Sequence, residues 1–111
     1  MSGSHYEFGQ FRLFPAERLL LRGTEAVALA PRAFDTLLLL VKHRGRILEK
    51  EVLMKKMWPG AFVEENNLNQ IICTLRKALG ADACGARYIE TVSRRGYRFV
   101  ASVKKLSAER N

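Results

Sequence analysis

Zinc-ligand spacing, disulfide pairing and membrane-spanning runs are all missing from this sequence. Its two cysteines, Cys73 and Cys84, form no CxxC, and its two histidines, His5 and His43, stand alone. That excludes a zinc finger and a disulfide framework, and two unpaired thiols fit a reducing cytosol. The longest apolar run, around Leu37 to Val41, falls far short of the roughly 18 residues that cross a bilayer. No nucleophile–base constellation and no glycine-rich phosphate loop is visible. The chain is therefore expected to be no enzyme and to require no cofactor or metal. Its 111 residues suffice for one core but not two, and with 48% hydrophobic residues a folded, soluble unit is expected rather than disorder.

Negative charge is also scarce. Nineteen lysines and arginines face eleven aspartates and glutamates, a net charge of +8. The excess is concentrated late: residues 73–111 hold nine basic side chains against three acidic ones, whereas the earlier segments are nearly balanced. Such an asymmetry suggests a polyanion-binding face, although a generic basic surface has the same composition.

The most informative stretch runs from Val63 to Leu79. Leu68, Ile71, Ile72, Leu75, Ala78 and Leu79 recur at helical spacing and predict a buried stripe. The other face carries Asn67, Asn69, Gln70, Cys73, Thr74, Arg76 and Lys77, with no carboxylate among them. Glu64 and Glu65 suit the positive end of the helix dipole, Arg76 and Lys77 the negative end, and Gly80 is a stop. Amides, a hydroxyl and cations on one face suit a DNA major groove, where amides pair with adenine and arginine with guanine. An ordinary surface helix reads the same way in isolation.

The rest of the chain supplies context. Tyr6 to Leu13 alternates apolar positions, with Gly9-Gln10 shifting the phase, so a bent strand or two short strands are expected. Turns at Pro15–Glu17 and Gly23-Thr24 separate strands at Leu19 to Arg22 and Ala26 to Leu29, an antiparallel meander. Pro31 opens a first helix with Phe34, Leu37, Leu38 and Val41 as its stripe, ending at Gly45. After an extended link at Arg46–Leu48, Glu49 begins a second helix with Val52, Leu53, Met57 and Trp58 facing inward, stopped by Pro59-Gly60. A polar segment, Ala81 to Arg87, follows the third helix. Then come strands at Tyr88–Val92 and Tyr97–Val100, with Ser93-Arg94-Arg95-Gly96 between them. An arginine-tipped hairpin after a basic helix reads as a wing able to reach phosphates or a narrow minor groove. Residues 1–5 read as a leader or tag remnant and 104–111 as a polar tail or linker start.

In this order the pieces resemble the winged-helix DNA-binding domain of the OmpR/PhoB response-regulator class, found also at the N-terminus of CadC- and ToxR-like regulators. The matching marks are FGQFRL, LAPRAFDTLLLL, LEKEVLMKKMW, VEENNLNQIICTLRKALG and YIETVSRRGYRF, and they cover residues 6–103. The resemblance implies an α+β winged helix-turn-helix: an N-terminal four-stranded antiparallel sheet, three helices and a C-terminal β-hairpin wing. It implies that the third helix (about 64–79) enters the major groove of double-stranded DNA and that the wing (88–101) meets the minor groove. Carried over, DNA contacts fall on Asn66, Asn67, Asn69, Gln70, Cys73, Thr74, Arg76 and Lys77, with Arg94 and Arg95 from the wing. Loop 59–63 would take the role of meeting RNA polymerase, with Phe62 either a contact for that partner or, as the favoured reading, a plug in the core, and Tyr97 a packing residue under the wing. The domain would be monomeric alone and pair head-to-tail on DNA. Familiar members often have basic residues at Cys73 and Thr74, and arginine at Ser93, so this helix is expected to rely more on amides.

The leading expectation is therefore sequence-specific double-stranded DNA binding by a bacterial transcriptional regulator in the cytoplasm, or in the cytoplasmic part of a ToxR/CadC-like membrane protein. The alternative is a winged-helix protein-interaction module with weak or non-specific DNA binding.

Overall fold

The computed structural model describes residues 4–80 and 88–107. The expected polar segment 81–87 with Cys84, residues 1–3 of the leader and residues 108–111 of the tail lie outside the described residues. The first half of the meander forms as two strands, β1 (His5–Phe8) and β2 (Phe11–Phe14), because Gly9 turns the chain at a φ of 58°. That conformation favours glycine, and a side chain there would collide with the Tyr88 hydroxyl. β3 (Leu19–Arg22) and β4 (Glu25–Ala26) follow; the last strand is shorter and earlier than the expected Ala26–Leu29. Val27 still donates its amide to the Leu20 carbonyl at 2.8 Å, which ends the ladder.

Three helices come next: α1 (Pro31–Lys42), α2 (Lys50–Met57) and α3 (Glu65–Leu79). Pro31 sets the start of α1 with no side-chain cap, and the helix ends at Lys42, with His43 at its C-cap, before the expected Gly45. Between α1 and α2, the link at Ile47–Glu49 is a true strand, β5. It pairs with the wing strands β6 (Ile89–Val92) and β7 (Gly96–Phe99) in a three-stranded sheet ordered β5-β7-β6. The final strand, β8 (Lys104–Leu106), corrects the expectation of a tail from residue 104. It adds to β1 as the edge of a five-stranded antiparallel sheet, β4-β3-β2-β1-β8.

One core joins these layers. The inner face of the N-terminal sheet contributes Tyr6, Phe8, Phe11, Leu13 and Leu20, and α1 contributes Phe34, Leu37, Leu40 and Val41. From α3 come Leu68, Ile72, Leu75 and Leu79, all at most 2% exposed. The expected stripe of α3 is therefore present, with Ile71 at its half-buried margin. Phe8 meets Phe99 edge-to-face at 5.1 Å and Phe11 meets Tyr88 at 5.7 Å, so aromatic contacts tie the first sheet to the wing sheet. Two inward assignments are corrected. Val52 is exposed, because Leu53 fills the place where the short helix α2 meets the core, with Met54 and Trp58 packed partly buried beside it. Phe62 is fully solvent-exposed rather than a plug, since Pro59-Gly60 carries the loop out before α3 begins.

The β5–β7 pairing leaves no room at Gly96. A Cβ there would overlap the Leu48 carbonyl, which is backbone and cannot rotate away. Gly96→Ala is expected to destabilise the fold by about 3 kcal/mol through separation of these strands, read as a lowered urea midpoint. An unchanged midpoint would mean the sheet yields at no cost.

Candidate nucleic-acid interface

Successive helix residues turn by about 100°, so Glu65, Asn69 and Arg76 fall on one flank of α3, beside its buried stripe. That flank faces β6, β7 and the start of α2, and each of its three polar residues is held. Lys50 Nζ donates to Glu65 Oε2 at 2.6 Å, and this hydrogen bond raises the Lys50 ammonium above its ordinary value. The Tyr97 hydroxyl donates to Asn69 Oδ1 at 2.9 Å. Arg76 donates from Nε and Nη2 to the Ile89 carbonyl at 3.3 and 3.1 Å, and from Nη2 to Thr91 Oγ1 at 2.7 Å. Its guanidinium also lies 6.0 Å from the centre of the Tyr97 ring. The expected packing role of Tyr97 is thus present, with a polar function added: it is 4% exposed and its hydroxyl reaches the helix.

The rest of the polar face points away from these ties. Asn66, Asn67, Gln70, Cys73, Thr74 and Lys77 are all exposed, and their side chains make no hydrogen bond or ion pair among the described residues. They are the row expected from the sequence, minus the two members that brace the helix. The sequence pattern offers Arg76 outward as a cation; the structure uses it to join α3 to the wing. No signal in the sequence marked it, because its acceptors, Ile89 and Thr91, lie across the polar segment after α3.

The far end of α3 is fixed from the other side. Arg22 Nη2 donates to the Ala78 and Leu79 carbonyls at 2.9 and 3.4 Å, and its guanidinium lies 5.1 Å from the centre of the Phe11 ring. The last carbonyls of a helix have no partner within it, so an arginine from the β3 hairpin closes what the helix leaves open. Sequence reading missed Arg22, since nothing local predicts a contact with residues so much later in the chain.

At the wing, Val92 pairs with Gly96 and the turn Ser93–Arg95 projects between them. The Arg95 amide donates to Val92 at 2.9 Å, and its carbonyl accepts from the Lys50 amide at 3.1 Å, so the tip rests on the start of α2. Arg94 has a φ of 64°, a region costly for a side chain with a Cβ. The Arg94 and Arg95 side chains are exposed and unpaired among the described residues, whereas Arg98 on the strand is bound to Glu90. Glu49, Glu51 and Glu65 share the shallow cleft between the tip and α2 with Lys50, Arg94 and Arg95, so the charges there are mixed.

Loss of the Arg76 tie should loosen α3 against the wing. Arg76→Met is expected to cost about 1–2 kcal/mol in urea unfolding and to speed amide exchange in Ile89–Val92. Unaltered exchange in that strand would show that the helix is held without it.

Comparison with known proteins gives a consistent likeness. The family model described as "Transcriptional regulatory protein, C terminal" matches residues 23–99. The transcriptional regulator HilA of Salmonella typhi is 33% identical over 99 residues, a stretch covering 89% of this chain but only 18% of that relative. Among solved structures, the DNA-binding domain of Escherichia coli CadC superposes with a TM-score of 0.81 at 28% identity, covering 94% of this chain and 98% of that one. The Klebsiella pneumoniae RstA DNA-binding domain, solved in complex with the RstA box, gives a TM-score of 0.73 at 32% identity, covering 86% and 96%.

Proposed function

The chain belongs to the transcriptional regulatory protein, C-terminal, family, and from that membership we propose that it is the double-stranded-DNA-binding unit of a bacterial transcriptional regulator. The matched stretch spans only 18% of HilA's length. The observation that carries the proposal is the row of exposed, unpaired amides, hydroxyl and cation on a helix whose other sides are fixed. Asn66, Asn67, Gln70 and Thr74 read base edges in the major groove, and Cys73 packs against the groove wall. Lys77, at the C-terminal end of the row, meets phosphate, and Arg94 and Arg95 reach the backbone or the minor groove beyond. Asn69 and Arg76 contact DNA with the groups their wing partners leave over.

No chemistry beyond binding is proposed. Among the described residues no group of acidic, histidine or cysteine side chains could hold a metal, and no helix is long and apolar enough to cross a membrane. The site of action is the cytoplasm, where a bacterial chromosome lies. The exposed aromatic ring of Phe62 in loop 59–63 offers a contact for a protein partner, and we assign that contact to RNA polymerase. The unit binds as a monomer that pairs head-to-tail on DNA.

The test is selection of random duplex DNA at near-physiological salt. Direct repeats spaced about one helical turn apart are expected; retention only at low salt, without preferred sequence, would leave phosphate binding alone. Two variants sharpen it. Gln70→Ala should relax preference at one base pair, costing roughly 1–3 kcal/mol there and little elsewhere. Arg94→Gly should lower the salt slope by about one while relieving backbone strain of about 1 kcal/mol, so that affinity falls as thermal stability holds or rises. A parallel fall in both would make Arg94 a folding residue instead.

A further inference from the structure

Asn69 is exposed on the helix proposed to enter the groove, yet one side of its amide is already committed. Its carbonyl oxygen accepts from the Tyr97 hydroxyl at 2.9 Å, and Tyr97 is buried at the base of the wing. A planar amide carries oxygen and nitrogen on opposite sides of one carbon. With Oδ1 drawn toward the wing, the Nδ2 amino group is turned away from it, toward the exposed side. A free asparagine would offer one acceptor and one donor, the pair that matches adenine's N6 amino group and N7. Held in this way, Asn69 turns its donors to the exposed side, while its oxygen, with one lone pair taken by Tyr97, faces the wing.

We propose that the Tyr97 hydroxyl polarises Asn69 into a donor-only reader that selects guanine over adenine at one base pair. Guanine presents two neighbouring acceptors, O6 and N7, both of which an amino group satisfies. Adenine sets N7 beside its own amino group, which would face the Asn69 amino group donor to donor and stay unpaired. Tyr97 is then a positioning residue: its hydroxyl acts on the base only through Asn69. The arrangement also separates Asn69 from Asn66, Asn67 and Gln70. Those amides have no partner among the described residues and keep both their acceptor and their donor. One helix face therefore carries amides of two kinds, alike in functional group and opposite in preference. The inference rests on the proposed reading of duplex DNA by α3.

The experiment takes the duplex preferred by the wild-type chain and measures competition by every single-base variant, for the wild type and for Tyr97→Phe, Asn69→Asp and Asn69→Ala. Thermal unfolding of each variant identifies any that fail to fold. Asn69→Asp is the decisive one, because a carboxylate still accepts from Tyr97 but has no proton to donate. Wild type is expected to favour guanine over adenine at one position by roughly 5- to 150-fold. Asn69→Asp and Asn69→Ala should abolish that preference at that position alone. Tyr97→Phe should reduce it several-fold by letting adenine in.

Retention of the guanine preference in Asn69→Asp would overturn the proposal, because a merely structural Asn69 needs only its acceptor. A weakening of all sequences alike in Asn69→Ala would overturn it in favour of a phosphate contact. So would an adenine at the position that depends on Asn69, while leaving groove reading by α3 intact. Absence of any preferred duplex in the wild type would overturn both the polarity of Asn69 and the reading beneath it.

Discussion

A fifteen-residue helix can turn only one stripe into a core, and on α3 that stripe is Leu68, Ile72, Leu75 and Leu79. Their burial fixes the rotation of the helix about its own axis, and every other property of the face follows. At roughly 100° per residue, the flank bearing Glu65, Asn69 and Arg76 must meet the wing sheet, and the row from Asn66 to Lys77 must meet solvent. Apolar burial thus decides which polar side chains become braces and which remain available. A change of one position in the stripe would exchange the two sets.

Braces at both ends convert this rotation into a fixed position. Arg22 closes the C-terminal carbonyls from the N-terminal sheet, while Lys50, Tyr97 and Arg76 hold the wing side. Exposed ion pairs such as Lys50–Glu65 contribute little each. Arginine donating to backbone carbonyls contributes more, because those carbonyls have few other partners. The aromatic contacts of Phe8 and Phe11 with Phe99 and Tyr88 keep the two sheets from shifting against each other. Helix and wing therefore approach a ligand as one surface, with no ordering left to be done between them.

Local signals in the sequence map directly onto elements of the fold. Gly9-Gln10 marked the break between β1 and β2, Pro31 opened α1, Pro59-Gly60 ended α2, and the spacing from Leu68 to Leu79 defined α3. Most failures share a cause, a partner distant in the chain. β8 looked like tail because Lys104, Lys105 and Leu106 have no pattern until β1 lies beside them. Ile47–Glu49 became a strand only through β7. Phe62 and Val52 looked inward by composition, but a short helix and a loop around glycine and proline offered them no place in the core. Arg76 and Asn69 belonged visibly to the polar face, whereas their commitment to the wing could not be seen without the fold.

The pairing of β8 with β1 has a mechanical meaning. His5 lies opposite Leu106 and Glu7 opposite Lys104, so the outer ends of both strands leave from the same end of the ladder. Tension applied through those two ends opens the pair like a zipper, loading one rung at a time rather than shearing all of them together. β8 would peel first and at low force. The remaining four strands, the aromatic contacts and α3 lie beyond that fuse, so a pull on the chain is absorbed at the edge before it disturbs the face that reads.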